Sequence, residues 1–403
     1  MPKFKFVNGV MVKDEGPPPS APPEHVPLAV VCTPEEMMET QIAVPVTTQQ
    51  AMMECQDDEY LKKFHTKDPI GEEEVLERLS ALFAQYEVPV GLLHRLLLLQ
   101  HYNINIILDD SGSMAANTDG KIKHLGPFMA NEFKHLSSDQ KMTRWQEQED
   151  RLHIMIDFLA CIPSGPVVIT FMNRPVTLVF EHNCTPDQWA ANAHAQIRQA
   201  CRTGPNGGTP TLERLTHSFA TAKGKTMHYL FTDGVPNSGP EPVARLILER
   251  KNPEANPVML VSCTDVDKEC QWMKEIEEEA PFTAELDDFK DESAEVLHDQ
   301  GPVFPYTKGL WLMCLLVGAI SPSDLDALDD ARPLSRFTLC QILGREITDQ
   351  EYRKYWDAKP KHEQFEAKYN DLLRTNDHAL RILGPPPPSA MAKIASKFKK
   401  LGF

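Results

Sequence analysis

The sequence predicts an α/β protein: a doubly wound, mostly parallel sheet with helical additions at both ends. Two observations carry this. Between residues 101 and 280, short apolar runs rich in Val, Ile and Phe alternate with amphipathic helical stretches. Short polar connections join them, the arrangement of parallel strands covered on both faces by crossover helices.

Residues 1–30 open with an alternating Phe4, Phe6, Val10, Val12 pattern and run into Gly16-Pro17-Pro18-Pro19-Ser20-Ala21-Pro22-Pro23. This predicts an extended, solvated, disordered segment, a linker in preference to a ligand of a proline-binding module. Residues 31–100 form a helical extension. Its Met-rich first half offers one short helix near 57–64. From Glu72 onward, Val75, Leu76, Leu79, Leu82, Phe83 and Tyr86 keep helical spacing, and Glu72, Glu73 and Glu74 stand at the dipole-favoured start. A second helix is expected from Pro89 through Leu99.

In the central region, 101–280, strands are expected at 103–108, 167–171, 177–180, 226–231 and 258–261. Helices are expected at 145–162, 187–202, 212–222, 242–249 and 268–279. Residues 275–299 hold eleven acidic side chains against one basic, Lys290, and read as a solvated helix end and loop. The acidic loop opens a C-terminal region, 281–383, in which 309–320 is expected as a buried element and 323–383 as helical, with Phe337, Tyr352, Tyr355, Trp356, Phe365 and Tyr369 as aromatic anchors. Pro385 to Pro388 open a linker, 384–403, which ends in a basic amphipathic tail.

Composition narrows the function. Over 403 residues, 41 Lys and Arg against 58 Asp and Glu leave a net charge of −17. Such a balance speaks against a duplex-wrapping nucleic-acid binder. The nine cysteines include no Cys-x-x-Cys pair and fit reduced thiols. The first residues lack the apolar stretch of a secretory signal. The longest apolar run, 309–320, is shorter than the roughly 20 residues that span a bilayer. A cytoplasmic protein is expected.

The chemistry concentrates at one loop. The expected strand 103–108 runs directly into Asp109-Asp110-Ser111-Gly112-Ser113-Met114, at the strand edge where doubly wound sheets bind ligands. One aspartate and two hydroxyls offer hard oxygens, which suit Mg²⁺ or Mn²⁺ better than zinc. Two further pieces match. Gly207-Gly208-Thr209-Pro210-Thr211 precedes a helix, and Tyr229-Leu230-Phe231-Thr232-Asp233-Gly234 carries an aspartate at the end of another strand. Asp110, between the motif positions, is expected to be a solvated turn residue.

This set resembles the von Willebrand factor A domain and its metal-ion-dependent adhesion site, over roughly residues 100–280. The resemblance implies Mg²⁺ (or Mn²⁺) bound by Ser111 and Ser113, with Thr209, Asp109 and Asp233 acting directly or through water. It further implies a non-enzymatic role, in which a protein partner supplies a Glu or Asp to complete the ion's shell. Two alternatives stay open: an accessory subunit of an ATPase or chelatase assembly, and an unrecognised hydrolase. No phosphate-binding loop, Gly-x-Ser-x-Gly elbow or His-Glu-x-x-His pair occurs. His153, His182, His194 and His228 lack ligand or nucleophile spacing. In residues 391–403, Met391, Ile394, Phe398 and Leu401 share one helical face beside Lys393, Lys397, Lys399 and Lys400. A peripheral membrane contact is one expectation for that tail.

Overall fold

The computed structural model describes residues 4–7, 10–13 and 72–358, apart from 265, 302–303, 321–324, 326–327, 330–333 and 335. The Pro-rich tracts, the short helix near 57–64, Phe365, Tyr369 and the basic tail lie outside the described residues.

A six-stranded sheet organises the chain. Its strands are β3 (Asn103–Leu108), β6 (Val167–Phe171), β7 (Thr177–Phe180), β8 (Thr226–Thr232), β9 (Val258–Ser262) and β10 (Thr283–Leu286), in the order β10-β9-β8-β3-β6-β7. All neighbours pair in parallel except β6 with β7. The chain builds outward from β3 to β6 and β7, then returns to β3's other side with β8, β9 and β10. That reversal makes the sheet doubly wound and leaves the C-terminal ends of β3 and β8 side by side.

Two cores follow from the strands' two-residue period. Ile104, Ile106 and Leu108 of β3 face a core with Val167, Ile169, Phe171, Tyr229 and Phe231. On that side pack α1 (Glu72–Tyr86), α4 (Arg144–Cys161), α5 (Pro186–Cys201) and α10 (Lys308–Val317). Ile107 turns to the opposite core with Leu230, Val258 and Leu260. That core is closed by α6 (Thr211–Thr221), α7 (Pro240–Leu248) and α8 (Asp267–Glu279). The ten residues of α10 are nearly all buried, and Tyr229 Oη donates to the Leu316 carbonyl at 2.6 Å, pinning this helix to β8. Among the described residues no helix is long and apolar enough to cross a membrane.

The structure corrects several expectations. The acidic segment is not a solvated loop. Thr283, Ala284 and Leu286 are buried in β10, the sixth strand, which pairs with β9. Phe289–Gln300 follows as a helix, α9, capped by the Asp288 side chain. Two of its acids share one cation: Lys274 Nζ lies 2.7 Å from Asp287 and 3.2 Å from Glu295. A domain boundary at 280 would cut this sheet. The helix expected from Pro89 breaks into Val90–Leu92 and Leu97–His101, both 3₁₀, around a single α turn, Leu93–Leu96 (α2). Phe4–Val7 (β1) pairs antiparallel with Val10–Lys13 (β2), so part of the segment expected to be disordered is a ribbon. Asn117–Lys121 (β4), Pro127–Glu132 (α3) and Lys141–Thr143 (β5) were not anticipated. Toward the C-terminus, Arg336–Leu343 (α11) and Asp349–Ala358 (α12) are helical as expected, and Arg95 reaches across to α11 through Gln341 Oε1 at 2.8 Å.

Candidate functional site

Four of the five expected ligands meet at the ends of β3 and β8. Asp109 and Asp233 are fully buried and Ser111 nearly so. Ser111 Oγ and Ser113 Oγ lie 2.9 Å apart, and Ser113 Oγ donates to Asp233 Oδ1 at 2.8 Å. Asp109 is held from both sides: Oδ1 accepts the Ser111 N–H at 2.8 Å, and Oδ2 accepts the Thr232 hydroxyl at 2.6 Å. Gln148 fixes the backbone here, its amide group bonding both the N–H and the carbonyl of Asp109.

Thr209 arrives through backbone. The Gly112 N–H donates to the Gly207 carbonyl at 3.0 Å, and the Asn206 N–H donates to the Asp110 carbonyl at 2.7 Å. These bonds lay the 206–209 turn along the Asp-x-Ser-x-Ser loop. Gly207 sits at φ +119°, a conformation that L side chains rarely adopt, and a Cβ there would meet Asn173 Oδ1 at 2.5 Å. Asn237 closes the turn, its Oδ1 accepting the Thr209 N–H at 3.0 Å.

Asp110 is not the solvated residue expected. It is fully buried, its Oδ1 accepts from Asn173 N at 2.7 Å and Nδ2 at 3.0 Å, and Arg174 Nε lies 3.0 Å from Oδ2. The Arg174 guanidinium also donates to the carbonyls of Ala200, Thr203 and Gly204 and rests over Trp145 and Phe171. Asp110 therefore anchors the loop from behind while Asp109 faces the site. Dipeptide position carries no signal for this, because its partners lie more than sixty residues away.

Arg144 is the residue the motif did not announce. It opens α4, where the Thr143–Gln146 capping box fixes the helix start. Its Nη1 donates to Asp233 Oδ2 at 2.9 Å, and its Nη2 lies 3.2 Å from Glu269 Oε2.

The electrostatics are those of a dry carboxylate pair. Burial pushes the Asp109 carboxyl up to about 6; the Thr232 and Ser111 hydrogen bonds hold it down, and Asp233 raises it further. The donor set is oxygen only. The Ser111–Ser113 and Ser113–Asp233 separations of 2.9 and 2.8 Å are O–H···O hydrogen bonds that join the three side chains into one cluster of hard oxygens. The residues present therefore fit a small hard cation. Among the described residues no group of three or more His, Cys, Asp or Glu side chains forms a metal cluster, so any ion here depends on hydroxyls as well as carboxylates.

The buried histidines among the described residues lie elsewhere. His153 Nδ1 and His194 Nδ1 are 2.8 Å apart between α4 and α5, and His194 Nε2 is 2.9 Å from Asp157. Burial pushes His153 down to about 3. Ser218 Oγ bonds His228 Nδ1 at 2.8 Å, with Asn256 behind at 3.4 Å. Both Ser218 and His228 are buried. Neither lines the neighbouring cavity walled by Phe219, Leu246, Arg250 and Asn256. This trio ties α6 to β8. No protein-family model matches the chain, and no curated protein matches it.

Proposed function

We propose that this edge is a divalent-cation site of the von Willebrand factor A type, through which the protein holds an acidic side chain of a protein partner. One observation carries the reading: the side-chain oxygens of Ser111, Ser113 and Asp233 converge on the crevice side of a doubly wound sheet, a donor set of hard oxygens only. When bound, Mg²⁺ or Mn²⁺ supplies an open, electrophilic coordination position. The chain's own residues do the rest. Ser111 and Ser113 present neutral oxygens that leave the ion's charge in place. Asp109, clamped by Thr232 and the Ser111 N–H, stands behind them as a fixed negative charge. Thr209 follows in the turn that Gly207 permits, which the Gly112 N–H and Asp110 carbonyl hold along the loop. The nine cysteines include no Cys-x-x-Cys pair, which supports a reducing compartment such as the cytoplasm.

Electron paramagnetic resonance of Mn²⁺ titrated into the full chain tests this. The expected result is one saturable site, displaced by Mg²⁺ and lost in Asp233→Asn. Binding that is unsaturable, or equal in that variant, refutes it.

A further inference from the structure

We propose that the cavity between α4, α9 and α10 binds a free amino acid, its ammonium group on Asp150 and Asp288, its carboxylate on Lys308 and an apolar side chain against the aromatic wall that Phe289 fronts. This goes beyond the cation reading and does not rest on it.

The cavity holds about 320 Å³, within the range of about 300–1,000 Å³ usual for small-molecule sites. It lies past the C-terminal ends of β9 and β10. Arg151 in its wall donates from Nη1 to the Ser262 carbonyl, at the end of β9, at 2.6 Å, and Asp288 stands just after β10. Doubly wound sheets take their ligands at that edge. One wall is aromatic: the half-buried Phe289 stacks on Tyr306 and meets Trp311 edge-on, each pair with centroids 6.3 Å apart.

The other lining groups are charged, and three of them have bonding capacity left. Asp150 is 4% exposed; its Oδ1 accepts the Gly126 N–H at 2.8 Å, and its Oδ2 has no hydrogen bond among the described residues. Asp288 Oδ1 accepts the Lys290 and Asp291 N–H groups that start α9, at 2.8 and 3.2 Å, and its Oδ2 likewise has none. Neither carboxylate is in an ion pair among the described residues. Burial pushes both carboxyls up to about 6, against the pull of the Lys308 charge on Asp150 and of Arg151 on Asp288.

The cations divide in the same way. Lys123 Nζ lies 3.0 Å from Asp139, Lys290 Nζ 3.1 Å from Asp119, and Arg151 Nη2 3.1 Å from Glu147. Lys308 has no acidic partner among the described residues; its Nζ donates to the His124 carbonyl at 3.3 Å. An ammonium group carries three donors, so donors remain for an anion. Glu87 and His124, at the rim, are exposed. A ligand of one sign would serve the carboxylates or Lys308 and be repelled by the other, whereas a zwitterion serves both.

Isothermal titration calorimetry of the full chain at low ionic strength tests this, in EDTA so that no bound metal enters the result. The probes are L-phenylalanine and L-leucine. Each is compared with the amine that lacks its carboxylate (phenethylamine, isopentylamine) and the acid that lacks its ammonium group (phenylpropionate, isocaproate). One of the two amino acids is expected to saturate a single site. Its amine and acid counterparts are expected to bind about tenfold weaker or more, each having lost a charge-assisted contact. In Lys308→Met the amino acid should lose its advantage over the amine, and in Asp150→Asn its advantage over the acid. No saturable binding of either amino acid at millimolar concentration overturns the proposal, as do counterparts that bind as tightly as the amino acid. An advantage that persists in Lys308→Met, or in an Asp150→Asn protein that melts cooperatively, also overturns it. If Asp150→Asn does not fold, Lys308→Met decides alone.

Discussion

Replacing Arg174 with methionine removes the counter-charge of Asp110 while keeping an apolar stem over Trp145 and Phe171. Asp110 is fully buried and retains only the two donors of Asn173. Deleting one partner of a buried ion pair leaves an uncompensated charge and costs about 3–5 kcal/mol. The three carbonyls of Ala200, Thr203 and Gly204 lose their donors as well, which places the effect at the upper end. For a unit of 150–250 residues, each kcal/mol shifts Tm by about 2–4 °C, so a fall of about 6–20 °C is expected by differential scanning calorimetry in EDTA. Asp110→Asn made in the Arg174→Met background should recover about 1–3 kcal/mol, because the orphaned charge is then gone. A loss below about 1 kcal/mol, the value of an exposed ion pair, would refute the reasoning and return Asp110 to solvent.

Asp109→Asn is expected to stabilise the metal-free protein at pH 7.5. A buried carboxyl raised from 3.8 to about 6 loses up to about 3 kcal/mol of stability once ionised, at about 1.4 kcal/mol per unit. The wild type loses that stability as pH rises from about 4 through about 6, because only the folded state then holds the proton. The variant's advantage should therefore vanish below pH 4 in EDTA melts; a variant less stable at pH 7.5 than the wild type contradicts this. Gly91→Ala places a Cβ 2.2 Å from the Gln341 carbonyl oxygen and 2.7 Å from its Cα. Backbone cannot yield as a side-chain tip does, so a loss of about 1–3 kcal/mol and faster proteolysis near α11 are expected, and an unchanged Tm would show that α11 does not pack there. Thr143→Ala removes the cap of α4 and should lower stability by about 1 kcal/mol, read by urea denaturation with an unchanged m-value.

Local patterns of apolar residues were enough to recover five of the sheet's six strands. Residues 103–108, 167–171 and 177–180 are rich in strand formers, and their expected limits coincide with β3, β6 and β7. The Asp-x-Ser-x-Ser loop and the turn at Gly207 were equally legible, because a tight loop needs particular residues at fixed offsets whatever surrounds it. The segment 281–286 was not: a four-residue strand with one glutamate is outweighed by the acids flanking it, and only pairing along β9 makes it a strand. Asp110 and Arg144 lay further out of reach. Their meaning depends on Arg174 and Asp233, residues 64 and 89 positions away, which side by side in the chain have nothing to say about each other. Whether a charged side chain is solvated or buried against a counter-charge is a property of three-dimensional neighbours, set by long-range strand order, and no local periodicity encodes it.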